Sequence, residues 1–227
     1  MISASKDRKL KTMKFKIVIL TLTFALLLSF HAVAAGPPGP WPWPWPPQVG
    51  QPYPDLKLVD QNGASVRLSS FKGKVLVIEP VGMNCPACLA WSGAHKFGDF
   101  QGQKPQANTT AIEEMFPRYA GGISLSDPRI VHIQLLLFSV GMEPTTAADA
   151  KAWAAHFHMD RPNQVVLAGS AHLLEPARRQ ASYNLVPGFQ LVDKDFILRS
   201  DSTSDHPKTN LWTELLPSVP RLIEEIQ

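Results

Sequence analysis

Two cysteines stand three positions apart in Cys85-Pro86-Ala87-Cys88, and the chain has no others. They follow a continuous apolar run, Lys74-Val75-Leu76-Val77-Ile78, and a short connection, Val81-Gly82-Met83-Asn84. The run reads as a strand buried on both faces, and the stretch from Cys85 to about Phe97 as the helix after it. Unpaired N–H groups at a helix start, with the helix dipole, stabilise a thiolate, the reactive form of cysteine. A second thiol three residues on lies one turn away on the same side. Such a pair can close into a disulfide and reopen with little backbone movement. Thiolate attack on another disulfide gives a mixed disulfide, which the second thiol resolves. Cys85 is the expected nucleophile and Cys88 the resolving thiol. A purely structural disulfide is a poorer reading, because so short a loop constrains little chain. Zinc would want two further Cys or His ligands at matching spacing.

The elements around the motif suggest how it is held. Leu56 to Asp60 and Ala64 to Leu68 flank Gln61-Asn62-Gly63, a hairpin signal. Residues 98 to 127 are mixed in texture and read as an insertion with a short helix near Ala111 to Met115. Arg129 to Val140 reads as a second buried strand, and Thr145-Thr146 as the cap of a helix from Ala147 to His158. A short strand is expected at Gln164 to Leu167 and a helix from Ser170 to Ser182. Two strands are expected at Phe189 to Val192 and Phe196 to Arg199, turning at Asp193-Lys194-Asp195, with a final helix from Trp212 to Ile226. This order implies an α/β domain: a central mixed sheet flanked by helices, an N-terminal β-hairpin and an insertion after the helix that carries the cysteines.

The chain has 227 residues, a net charge of +3, 44% hydrophobic and 18% charged residues, which suits one globular domain and excludes a disordered chain. The charge is unevenly placed. Residues 1 to 35 hold six basic residues and one acidic residue, which leaves the remainder at −2. Those lysines precede an apolar run, Ile17 to Phe30, and Ala32-Val33-Ala34-Ala35. A basic start, a short apolar core and small residues at a cleavage position mark a secretory signal peptide. Residues 1–35 are assigned to that signal, an uncleaved anchor being the alternative, and Met13 would begin a signal complete by itself. A periplasmic or secreted location follows, with no membrane span after cleavage, and nucleic acid loses its electrostatic support. Disulfides form and persist in such compartments. Residues 36–48, rich in Pro with Trp41, Trp43 and Trp45, read as a stiff polyproline linker. The alternative is that the tryptophans rest on the domain, a membrane interface or a partner. Residues 49–227 form the domain.

The stretch from Gly50 to Trp91 resembles the exported redoxins of the thioredoxin-like superfamily, the TlpA/ResA-type thiol-disulfide oxidoreductases. The residues carrying the resemblance are Gly50-Gln51-Pro52-Tyr53-Pro54-Asp55-Leu56, the Asp60 to Gly63 turn, Leu68-Ser69-Ser70-Phe71-Lys72-Gly73-Lys74 before the apolar strand, and the Cys-x-x-Cys motif. Tyr183 to Pro187 followed by Leu191-Val192-Asp193 is similar to that family's late proline and strand. The resemblance implies that Pro187 is a cis-proline packed across the cysteine pair. It implies dithiol exchange with client protein thiols and disulfides and a partner protein that resets the pair. No organic cofactor is expected, because the disulfide carries both electrons. Where many relatives place a glutamate early in the active-site helix, this chain has Trp91. Glu79 is the nearest acidic candidate for moving the Cys88 proton, although its place at the expected strand end favours a surface glutamate.

Rival readings rest on other residues. Gln134 to Pro144, Thr145-Thr146 and Leu167-Ala168-Gly169-Ser170 look similar to the Sco/SenC copper-delivery branch, and Met83, Cys85 and Cys88 are soft donors suited to Cu(I). That branch has a three-residue gap between its cysteines and a histidine before the late strand. Here the gap is two residues, Tyr183 to Gly188 holds no histidine, and His172 is the nearest upstream. A peroxiredoxin would place threonine where Gly82 stands. His156 and His158, two apart, point to different sides of a helix. A binding module that keeps the fold and uses its Trp-Pro segment is the non-enzymatic alternative.

Overall fold

The computed structural model describes residues 44–204 and 207–226. The signal-peptide assignment and Trp41 and Trp43 of the linker lie outside the described residues. Seven strands form one sheet in the order β2-β1-β5-β4-β3-β6-β7. They are β1 Lys57–Asp60, β2 Ser65–Arg67, β3 Val75–Gly82, β4 Ile130–Phe138, β5 Gln164–Ala168, β6 Gln190–Val192 and β7 Leu198–Asp201. Strands β3, β4 and β5 are parallel, and the outer pairings are antiparallel. The sheet is mixed and flanked by helices, with the expected hairpin at its start. Asp60 closes that hairpin by accepting the N–H groups of Asn62 and Ala64.

Strand β3 runs further than its sequence suggests, through Pro80 to Gly82. Proline has no N–H to give a sheet ladder. The Val75 N–H points to the β4 side, where it donates to Arg129 O, so by strand alternation position 80 faces the β6 side. There the pairing spans only Leu76 to Ile78, and the missing donor interrupts nothing. The same alternation puts Val75, Val77, Glu79 and Val81 on one face. Glu79 is therefore inside the sheet and fully buried, not a strand-end surface residue as expected.

Prolines and one glycine break the expected long helices. The helix at the cysteines is two pieces, α1 Pro86–Ser92 and α2 Ala94–Phe97, divided at Gly93. The insertion carries α3 Ile112–Tyr119. Helix α4 Ala147–His156 starts in a capping box between Thr146 and Asp149, as expected for its Thr-Thr start. The helix expected from Ser170 is a 3-10 turn, Ala171–Leu174, and then α5 Pro176–Tyr183, because Pro176 holds Glu175 extended. The final helix is a π turn at Leu211–Leu215, a 3-10 turn at Leu216–Ser218 and α6 Val219–Glu224. Pro217 and Pro220 each remove a helical donor.

Two apolar clusters cover the Glu79 face. One joins Val75 and Val77 to Ile112 and Phe116 of α3 and to Leu222 of α6. The other joins Val81 and Met83 to Cys88 and Leu89 of α1 and Trp153 of α4. The second cluster seats the active-site helix on the sheet. Beyond α5, the Val186–Pro187 peptide is cis. Gly188 follows at φ +148°, where an added Cβ would stand 2.4 Å from Thr203 Cα. Only glycine adopts that backbone and that approach. Asp193 then ties the β6–β7 turn by accepting the Asp195 and Ile197 N–H groups, with Arg199 at 2.9 Å from its other oxygen.

Candidate active site

Cys85 is the N-cap of α1, and its sulfur accepts the Cys88 N–H at 3.2 Å. Pro86 fits the first helical position, where no N–H is needed. Cys88 is fully buried, Cys85 only partly so. The two sulfurs lie 2.7 Å apart, with Cys88 donating toward Cys85. The pair is thus asymmetric: one sulfur faces outward, and the other lies beneath it.

Below them is a buried polar relay. Gln134 of β4, in register with Glu79, donates to Glu79 Oε2 at 2.7 Å and to Ser92 Oγ at 2.9 Å. Its carbonyl accepts the Trp153 indole N–H at 2.6 Å, which fixes the orientation of the amide. Glu79 Oε1 has no hydrogen-bond partner among the described residues. Burial pushes the Glu79 carboxyl well above the usual carboxylate range, and the Cys85 charge pushes the same way against the pull of the Gln134 hydrogen bond. The Cys88 thiol is also raised, first by burial, then by Cys85 and by the charge of Glu79. The sequence favours a surface Glu79, because its partners Gln134 and Trp153 stand far along the chain.

The rim is built by the connection after β4. Asn84 donates to Val140 O at 3.2 Å and contacts Met142 Sδ at 3.2 Å. Val186, on the residue before Pro187, packs against the same cluster as Cys85 and Val140. Tyr183 stands edge-on to Phe138 at 5.0 Å. An added Cβ on Gly82 would lie 2.3 Å from the Phe138 ring. The peroxiredoxin threonine therefore has no room at this position. Trp45 donates to Ser182 Oγ at 2.9 Å, so this end of the Trp-Pro segment rests on the domain next to Tyr183.

Other candidates are placed elsewhere. Met83 is fully buried in the α1 cluster. His172 pairs with Glu175. His156 bonds Gly98 O, and His158 stacks on Phe97. His95 holds Gln106 O at 2.9 Å, while Gln106 N–H caps Pro86 O, so the insertion is tied to the active-site helix. Among the described residues no group of three or more His, Cys, Asp or Glu side chains is placed to hold a metal ion. No described helix is long and apolar enough to cross a membrane.

His132, two residues before Gln134 on β4, is also buried. Burial, aided by the Arg161 charge, lowers its pKa from the ordinary 6.5 to about 3. The folded protein keeps it neutral where the unfolded chain takes up a proton. Its contribution to stability is whole above pH 6.5 and falls as the pH drops toward 3, by up to about 1.4 kcal/mol per pH unit. Urea unfolding between pH 7 and 4 is expected to show this slope and to show less of it in His132→Gln. Equal slopes in the two proteins would contradict the assignment.

No protein-family model matches the chain, and no curated protein matches it. Similar solved structures include a candidate electron transfer protein from Aquifex aeolicus VF5, at TM-score 0.50 and 14% identity, over 77% of this chain and 92% of that one. Another is the thioredoxin domain of a thiol-disulfide oxidoreductase from Bacteroides vulgatus, at TM-score 0.45 and 15% identity, over 79% and 99%. A third is ScoI of Bradyrhizobium japonicum with copper bound, at TM-score 0.45 and 21% identity, over 79% and 100%. Identities this low bear on the fold alone. With parallel β3, β4 and β5, antiparallel β6 and β7, a Cys-x-x-Cys at the start of the helix after β3 and a cis-proline before β6, the chain has the thioredoxin-like fold.

Proposed function

We propose that the protein is an exported thiol-disulfide oxidoreductase that exchanges its Cys85–Cys88 pair with client protein thiols and disulfides. The observation that carries the reading is the stacked arrangement of partly exposed Cys85, buried Cys88 and buried Glu79. In the reducing direction, the Cys85 thiolate attacks one client sulfur. A Cys85–client bond forms, the client disulfide breaks, and the other client sulfur leaves as a thiolate. As the pH approaches its raised pKa, Glu79 ionises and takes the Cys88 proton, and the Cys88 sulfur attacks Cys85 Sγ. The Cys85–Cys88 bond forms, and the second client thiolate leaves. Two electrons have moved from the pair to the client, and the oxidising direction runs the same steps in reverse. Glu79 suits the task because two neighbouring buried negative charges oppose each other, so the proton lost by Cys88 needs a base close by. Pro187 and Val186 shape the groove beside Cys85. The basic start and apolar run of residues 14–30 support export, and a separate redox protein resets the pair.

The test is exchange by the reduced, metal-free protein on a protein disulfide, with an anaerobic Cu(I) titration alongside. Stoichiometric reduction of the substrate by one dithiol per chain is expected. Absence of exchange, with tight one-to-one Cu(I) binding lost in Cys85→Ser, would replace this reading with copper delivery. Met83 is buried in the same cluster as Cys88, with Cys85 packed against it.

A further inference from the structure

A cavity of about 370 Å³ lies between the connection after β4 and the 3-10 turn and helix α5. Met142, Pro144, Pro176 and Tyr183 line it, and all four keep solvent-accessible surface. Two of them also belong to the rim of the redox pair. Met142 Sδ stands 3.2 Å from the amide nitrogen of Asn84, the neighbour of Cys85. Tyr183 donates its hydroxyl to Met142 O at 3.4 Å. It lies three residues before Val186, which packs against the same cluster as Cys85. The cavity therefore adjoins the groove beside Cys85.

Met142 is held in an unusual backbone. Its φ is +65°, a region that residues other than glycine rarely enter and that clusters at functional sites. A turn enforces it: the Met142 N–H donates to Ser139 O, and the Ser139 N–H to Glu143 O. The side chain is displayed rather than buried, at 38% exposure. An exposed methionine is a soft, adaptable contact for apolar and aromatic groups. The charged groups at the cavity, Glu143, Glu175 and Arg179, are exposed, where solvent and salt screen them. Glu175 is already paired with His172 and Arg178.

We propose that this cavity is a client subsite, taking one aromatic or large apolar side chain of the client polypeptide against Met142, Tyr183 and the two prolines. The proposal rests on the exchange reading of Cys85 and Cys88 and names what that site selects. Asn84, Met142 and the cavity follow one another outward from Cys85. The selected residue therefore lies within about four positions of the client cysteine, a span of ~14 Å in an extended chain. The volume stands near the lower limit of ligand pockets and suits a single side chain.

Peptides carrying one cysteine as a mixed disulfide with nitrothiobenzoate test it on the reduced full chain. The Cys85 thiolate attacks the peptide sulfur, and the released thiobenzoate chromophore gives the rate. Phe is placed in turn at each of the four positions on either side of the cysteine, with Ser as the reference. At least one Phe position is expected to raise the second-order rate about tenfold or more over Ser. Met142→Asn suits a positive φ and removes the thioether. In it, the Phe-to-Ser ratio is expected to fall to about threefold or less, and a ratio read within one protein does not depend on how much of a variant folds. In the unsubstituted protein, the Met142 methyl resonance is expected to shift on titration with the preferred peptide carrying Ser in place of its cysteine. Equal rates across the series, a ratio retained by Met142→Asn or an unmoved Met142 resonance overturns the subsite and leaves exchange standing. Failure to reduce any peptide or glutathione disulfide overturns the exchange reading and the subsite with it.

Discussion

Cys85→Ser is expected to slow exchange with a protein disulfide by at least about a thousandfold, because a hydroxyl at this position is not ionised near neutral pH and cannot act as the attacking group. The geometry makes the loss one-sided. Cys88 sits on the buried face of α1, so the sulfur that remains in Cys85→Ser has no path to a client. Cys88→Ser behaves differently. Its Cys85 stays at the rim and attacks once, and the mixed disulfide persists for want of a resolving thiol. Stopped-flow exchange with mass analysis of the products separates the two variants. A Cys85→Ser protein that keeps most of its rate, or an adduct that forms first on Cys88, would contradict the assigned order.

Glu79→Gln is expected to slow resolution of the mixed disulfide by about a hundredfold, within the range of general acid–base contributions. The amide keeps the shape and can still accept the Gln134 hydrogen bond, but it cannot take the Cys88 proton. The first attack, by Cys85, is expected to change much less, so the mixed disulfide accumulates. Stability carries a second signature. The folded pKa of Glu79 is raised, so between the unfolded and folded values the unfolded chain loses a proton that the folded protein keeps. The stabilisation is whole below the unfolded pKa and declines as the pH rises through the folded one, by up to about 1.4 kcal/mol per pH unit. Glu79→Gln removes that decline. Urea unfolding from pH 4 to 8 reads it directly. Unchanged resolution together with an unchanged pH slope would remove Glu79 from the mechanism.

The parts of the site legible in the sequence are those with local signals. The Cys85–Cys88 spacing, the helix start after an apolar strand and the Asp60 to Gly63 turn are set by neighbours in the chain. Pro187 could be placed only through the resemblance in the Tyr183 to Asp193 stretch. Glu79 is legible as an acidic candidate, but its burial is not. Pro80 looks like the end of a strand, and only the short reach of β6 lets β3 continue past it. The hydrogen bonds that hold Glu79 and its amide partner come from residues 134 and 153, brought together by β4 and α4. The helix breaks at Pro176, Pro217 and Pro220 obey simple proline rules, and long helices were expected there because apolar pattern outweighed those prolines.

The central claim is a reversible two-electron centre at Cys85 and Cys88, and a glutathione redox titration of the metal-free protein tests it most directly. The account predicts one transition between dithiol and intramolecular disulfide, with a midpoint between about −270 and −120 mV, the span from reducing to oxidising members of this chemistry. A pair that stays fixed as thiols or as a disulfide across the whole range, or that takes up glutathione without closing, would contradict it.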